Sequence, residues 1–157
     1  MSARYTALSD PIQVLSSDLN NLNDGAFSRH VNVTSIIQSR RSLPDDALFA
    51  NFVLSLANFE SPRSTSASVS LFLVPNHVTV LDIPATPTLA SNPELAVNYH
   101  SGTLILDSSS VPYVGVFTVV NLPSVDFFPV ILNRTGVVFP SSGNVLRMYT
   151  YGYEDVT

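Results

Sequence analysis

The last strand of this chain constrains its fold most. Over Val145–Tyr153 the residues Val145, Arg147, Tyr149, Tyr151 and Tyr153 fall on one side, and Leu146, Met148 and Thr150 on the other. That period of two is the side-chain alternation of a β-strand. Upstream, apolar runs at Gly115–Val120 and Asp126–Asn133 are cut by Asn133-Arg134-Thr135-Gly136 and by Pro140-Ser141-Ser142-Gly143-Asn144, both dense in turn formers.

The same reading extends toward the N-terminus. Short strands are predicted around Ile12–Leu15 and at Ser28–Val33, and a strong one at Leu48–Asn58. Ser66–Val74 alternates most clearly. Ala67, Val69, Leu71 and Leu73 are expected toward the core, and Ser66, Ser68 and Ser70 toward solvent. Gly102–Leu106 reads as a further strand, followed by an Asp107–Ser110 turn. Asn76–His100 carries Pro84, Pro87 and Pro93 and is expected to be a long surface loop, with a short strand at Val78–Asp82. No long stretch shows a helical period. Many short strands with turn signals between them predict an all-β fold, a jelly-roll-like antiparallel β-sandwich.

The chain has 157 residues, enough for one domain with its own core, and no cysteine, which removes disulfides and thiol chemistry. Residues 1–24 are expected as an N-terminal arm and 25–157 as the sandwich domain. Removal of Met1–Ser16 should then leave the domain folded. Met1–Asp10 has no apolar core after a basic start, so no secretory signal is expected there.

Charged residues make up 12% of the chain, against about 25% in an ordinary protein. All seven cations are arginine and the net charge is −5, which argues against a nucleic-acid partner. Mean hydropathy is +0.26, yet no apolar run reaches the ~20 residues that span a bilayer, so no membrane partner is expected. Few charges and much apolar surface suit a chain that covers part of its surface with a partner.

Little in the sequence points to catalysis. His30, His77 and His100 lie in three separate segments, without metal-ligand spacing. There is no Gly-x-Ser-x-Gly elbow, no glycine-rich phosphate loop and no defensible carboxylate pair; Asp45 and Asp46 fit a turn after Pro44. No enzyme activity, cofactor, metal or small-molecule substrate is expected. Asn32-Val33-Thr34 and Asn133-Arg134-Thr135 match the glycosylation sequon, and Asn133 reads better as the first residue of a turn into Gly136. The tyrosines of the last strand have two readings, a sugar- or protein-contacting surface or a face covered by a neighbouring strand or loop. The candidate interface residues are Tyr5, Leu8, Ile12, Tyr149, Tyr151 and Tyr153.

Five segments in order resemble a known family: Ser17–Ala26 (SDLNNLNDGA), Val69–Pro75 (VSLFLVP), Val114–Phe117 (VGVF), Ile131–Gly136 (ILNRTG) and Phe139–Leu146 (FPSSGNVL). Together they are similar to small β-rich virion proteins of tailed bacteriophages, the capsid cement or decoration proteins. The segment after Pro75 departs from that pattern, with Asn76-His77 and a proline-rich stretch in place of the family's turn. The resemblance implies a structural protein made in the host cytoplasm that binds the outer surface of the phage head. There it would bridge neighbouring copies of the major capsid protein, as a homo-oligomer, dimer or trimer. The alternative is a tail- or fibre-associated module that binds a receptor or glycan.

Overall fold

The computed structural model describes residues 2–7, 10–28, 47–75 and 99–156, with the side chains of 2–7, 119 and 153–156 left aside. Among these residues there are eight strands: β1 (Ser2–Ala7), β2 (Ile12–Leu15), β3 (Phe49–Leu56), β4 (Ser68–Pro75), β5 (His100–Ile105), β6 (Tyr113–Asn121), β7 (Phe127–Arg134) and β8 (Val145–Val156). Helical structure in the described residues is one short 3-10 turn, Ser17–Leu19. The expected strands at Ser28–Val33 and Val78–Asp82, His30, His77, Asp45 and Asp46 lie outside the described residues, Ser28 excepted.

All pairing is antiparallel. One sheet runs β6–β3–β8, and the far side of β8 is shared by β1 along its C-terminal half and β2 along its start. The other runs β5–β4–β7. The two sheets pack on one another as a β-sandwich. Between them lies a core built from the inward residues of both, including Phe52, Leu54, Leu146 and Met148 from the first and Val69, Leu71, Phe127 and Ile131 from the second.

The expected alternation holds in β3 and β8. In β3 every second residue, Ala50, Phe52, Leu54 and Leu56, is buried. In β8 the buried set is Leu146, Met148 and Thr150. The last strand does not close its sheet: β8 is interior, with β3 on one side and β1 and β2 on the other. Its length of 12 residues lets two short strands share one flank.

In the second sheet the serine face is outward only at its start: Ser66 is exposed as expected, and the covering grows along the strand. Ser70 is buried and its hydroxyl bonds Thr103 Oγ1 at 2.8 Å, while Ser68 is half-buried. Beyond Ser70 the same side of β4 carries Phe72 and Val74. They form a second apolar cluster with Phe27, Phe128, Val130 and Leu132. Phe27 meets Phe72 edge to face at 5.4 Å, and bridges to Leu132 on β7. Strands β4 and β7 are thus buried on both faces.

Part of the segment expected as an arm packs on the sandwich. Val14, Leu15, Leu19 and Leu22 belong to the main core, each under a tenth exposed. The expected boundary at Asp24 and Gly25 sits where Asp24 Oδ1 accepts Gly136 N–H at 2.8 Å and Gly25 N–H donates to Asn133 O at 2.7 Å.

Candidate interaction face

The outward side of the five-stranded sheet follows from the register. Val116 on β6, Val53 on β3, Arg147 on β8 and Gln13 on β2 form one row across it. Val114, Ser55 and Val145 form the next. Asn51 stands opposite Tyr149, and Phe49 opposite Tyr151. Val114 is 67% exposed and Val116 41%, and the β3 and β8 positions are half-buried. Arg147 is the one charged side chain in these rows. Asn51 Nδ2 donates to Tyr151 Oη at 3.4 Å, which fixes that phenol against the sheet. A surface of valine and tyrosine with a single cation gives large contact area at a small entropy cost, since each ring has few rotors to freeze.

Of the expected interface residues, Tyr149 and Tyr151 stand on this face as the alternation predicts. Ile12 does not: it is partly buried against the core, because β2 tucks along the start of β8. Tyr5 and Tyr153 are opposite one another in the β1–β8 register, their side chains outside the described set. Leu8 lies outside the described residues. Of the histidines, His100 is exposed at the start of β5. Its Nε2 lies 2.9 Å from Thr103 Oγ1, and its ring packs edge-on to Phe72. Among the described residues there is no group of three or more metal-ligating side chains.

The most heavily bonded charge in the described chain is one the sequence did not single out. The Arg63 side chain is fully buried. Its Nε donates to Asp107 O and its Nη1 to Val111 O, each at 2.9 Å; Nη2 donates to the Asp107 carboxylate and to Ser109 Oγ. The guanidinium carbon sits 4.8 Å over the Phe59 ring and 5.9 Å from that of Tyr113. A buried cation is tolerable because its donors are met and aromatic faces surround it. The Ser109 hydroxyl first, then Arg63, holds the exposed Asp107 carboxyl below its ordinary value, while burial pushes the Tyr113 phenol up. Tyr113 lies across Gly115: a Cβ there would fall 2.6 Å from the phenol oxygen and 2.8 Å from Leu104 Cδ1. Glycine at 115 therefore lets the edge strands β5 and β6 approach.

Two buried asparagines hold the loops at one end of the sandwich. Asn133 is the seventh residue of β7, and its side chain opens the turn into Gly136 as expected. Its Nδ2 donates to Leu22 O and Val137 O, both at 2.8 Å. Its Oδ1 accepts from Thr135 N–H at 2.9 Å and Thr135 Oγ1 at 2.7 Å. Gly136 follows at φ +81°, with Ser64 Cβ only 2.9 Å from where a side chain would begin. Asn144 repeats the device. It donates to Asn20 Oδ1 and Pro140 O and accepts Ala57 N–H. With Asn133 fully buried and its Nδ2 committed, that sequon is closed to glycosylation in the folded chain.

Comparisons with protein-family models, curated proteins and solved structures find no match to this chain.

Proposed function

We propose that this protein is a phage capsid cement protein of jelly-roll type. In this reading it binds the outside of the head and bridges neighbouring major capsid protein subunits, as a homo-oligomer. The observation that carries the reading is the ordered run of five segments resembling that family. Three of them hold residues the fold depends on: Asp24 and Gly25 in the first, Asn133, Thr135 and Gly136 in the fourth, Asn144 in the fifth. Those three segments meet in space as one hydrogen-bonded unit. The valine and tyrosine face supports the role, because a cement protein gains affinity by covering seams between subunits. Repetition over a closed shell multiplies a modest contact through simultaneous engagement.

The test is addition of purified protein to expanded heads. The expected result is saturable binding and a higher disruption temperature, both reduced by Tyr149→Ser with Val116→Ser. Absence of binding and of any shift would sink the reading. The half-buried Tyr149 and Tyr151 favour a second reading, a glycan-binding module of a tail or fibre; a glycan-array signal lost in Tyr149→Ala and Tyr151→Ala would select it.

A further inference from the structure

A cavity of about 300 Å³ opens between the Asn20–Asn21 turn, the Glu60–Ser61 turn and the Val137–Ser141 loop. We infer that it receives the side chain of a lysine or arginine from a partner protein. The inference does not rest on the capsid reading.

The size suits one long side chain, at the low end of the range for ligand pockets. One side of it is apolar: Val137, Val138, Phe139 and Pro140 line it, with Phe139 and Pro140 buried and Val138 49% exposed. The remaining lining residues, Asn21, Glu60, Ser61 and Ser141, are exposed and each offers an oxygen acceptor. Glu60 is the only ionisable residue among them, and among the described residues it has no cationic partner. A carboxylate lining the same cavity as four apolar residues fits a methylene stem that lies along the apolar side with its cationic head paired to Glu60. An anion would be repelled by the Glu60 charge, and a purely apolar group would leave that carboxylate unused.

The site is formed in advance. Asn21 N–H bonds Pro140 O at 3.1 Å and Phe139 N–H bonds Leu22 O at 3.0 Å, so two walls are tied to each other. Asn144 Nδ2 holds Pro140 O a second time at 2.7 Å. Phe59, next to Glu60, packs edge to face on Phe139 at 6.0 Å. Asn21 is held at φ 56°, a conformation costly for most residues and tolerated by asparagine. A rigid cavity loses little entropy when a side chain enters.

The probe is agmatine, a guanidinium on a short methylene chain, titrated into the full chain with amide NMR as readout. Saturable shifts are expected at Asn21, Glu60, Ser61, Val138 and Ser141, with a dissociation constant on the order of 1 mM for so small a ligand. Glu60→Gln should weaken binding about tenfold, the equivalent of one charge-assisted contact. Because Glu60 is exposed, its variant should keep the remaining spectrum unchanged. Absence of saturable shifts at these residues, or equal binding by the Glu60→Gln protein, would overturn the inference.

Discussion

Replacing Asn133 by alanine tests the clamp that joins the N-terminal segment to the last third of the chain. Four hydrogen bonds go at once. They do not cost the same. Leu22 O keeps Phe139 N–H, and Val137 O, 3.0 Å from Thr135 Oγ1, takes over the single hydroxyl proton that Asn133 Oδ1 shared. Thr135 N–H has no second acceptor among the described residues, and Thr135 is fully buried. One orphaned donor costs about 1–3 kcal/mol, and the two weakened carbonyls add about 1 kcal/mol together, for a loss of about 3 kcal/mol. Against a whole-domain stability of about 5–15 kcal/mol that is a large fraction. With a urea slope of about 2 kcal/mol/M the midpoint should fall by about 1.5 M. Amide exchange adds a local readout: Thr135 and Gly25 should lose protection before the strands do. Thr135→Val, which keeps the N–H bond to Asn133 Oδ1, should cost less. A loss below about 1 kcal/mol for Asn133→Ala, with Thr135 still protected, would refute the accounting.

Arg63→Met keeps much of the stem but strips four donors from a buried pocket, and urea unfolding should show a loss of about 2–4 kcal/mol. Asp107 has its carboxyl held below the ordinary 3.8, so its contribution is present above 3.8 and lost as pH falls from there through the lowered folded value; Asp107→Asn should flatten the melting temperature against pH on the acid side only. Gly115→Ala has to displace the Tyr113 ring and Leu104, which should destabilise by about 1–3 kcal/mol and move the Tyr113 ring resonances. Deletion of residues 1–16 removes Val14 and Leu15 from the core, about 1.5–3 kcal/mol for each side chain, so circular dichroism should show a markedly less stable chain.

The strands were legible because period-two alternation is a local signal that one buried face imposes. Strands β3 and β8 keep one face in the core and one outside, and both read correctly. Strand β4 misleads because Ser68 and Ser70 imitate an outward face. Its reverse side is roofed from Phe72 onward by contacts to Phe27 and β7 that are distant in sequence. The asparagine clamps were hidden for a related reason. Asn-Arg-Thr-Gly has turn composition wherever it occurs, and only the arrival of Leu22 O makes Asn133 a buried hub. Arg63, in a polar turn beside Pro62, gave no sign of burial, since the carbonyls that accept its protons lie 44 and 48 residues onward.

These misses bear on what the resemblance can mean. Its last two segments, Ile131–Gly136 and Phe139–Leu146, contain Asn133, Thr135, Gly136 and Asn144, whose roles are to satisfy buried carbonyls and to turn the chain at positive φ. Selection for that geometry would retain such residues in any protein with this loop arrangement, whatever it binds. The motif therefore argues for an architecture, and binding specificity has to reside in residues that architecture leaves free. Val53, Val114, Val116, Tyr149 and Arg147 are the ones the described sheet presents side by side. Substitutions there that leave folding intact separate partner recognition from stability, and substitutions at the clamps cannot.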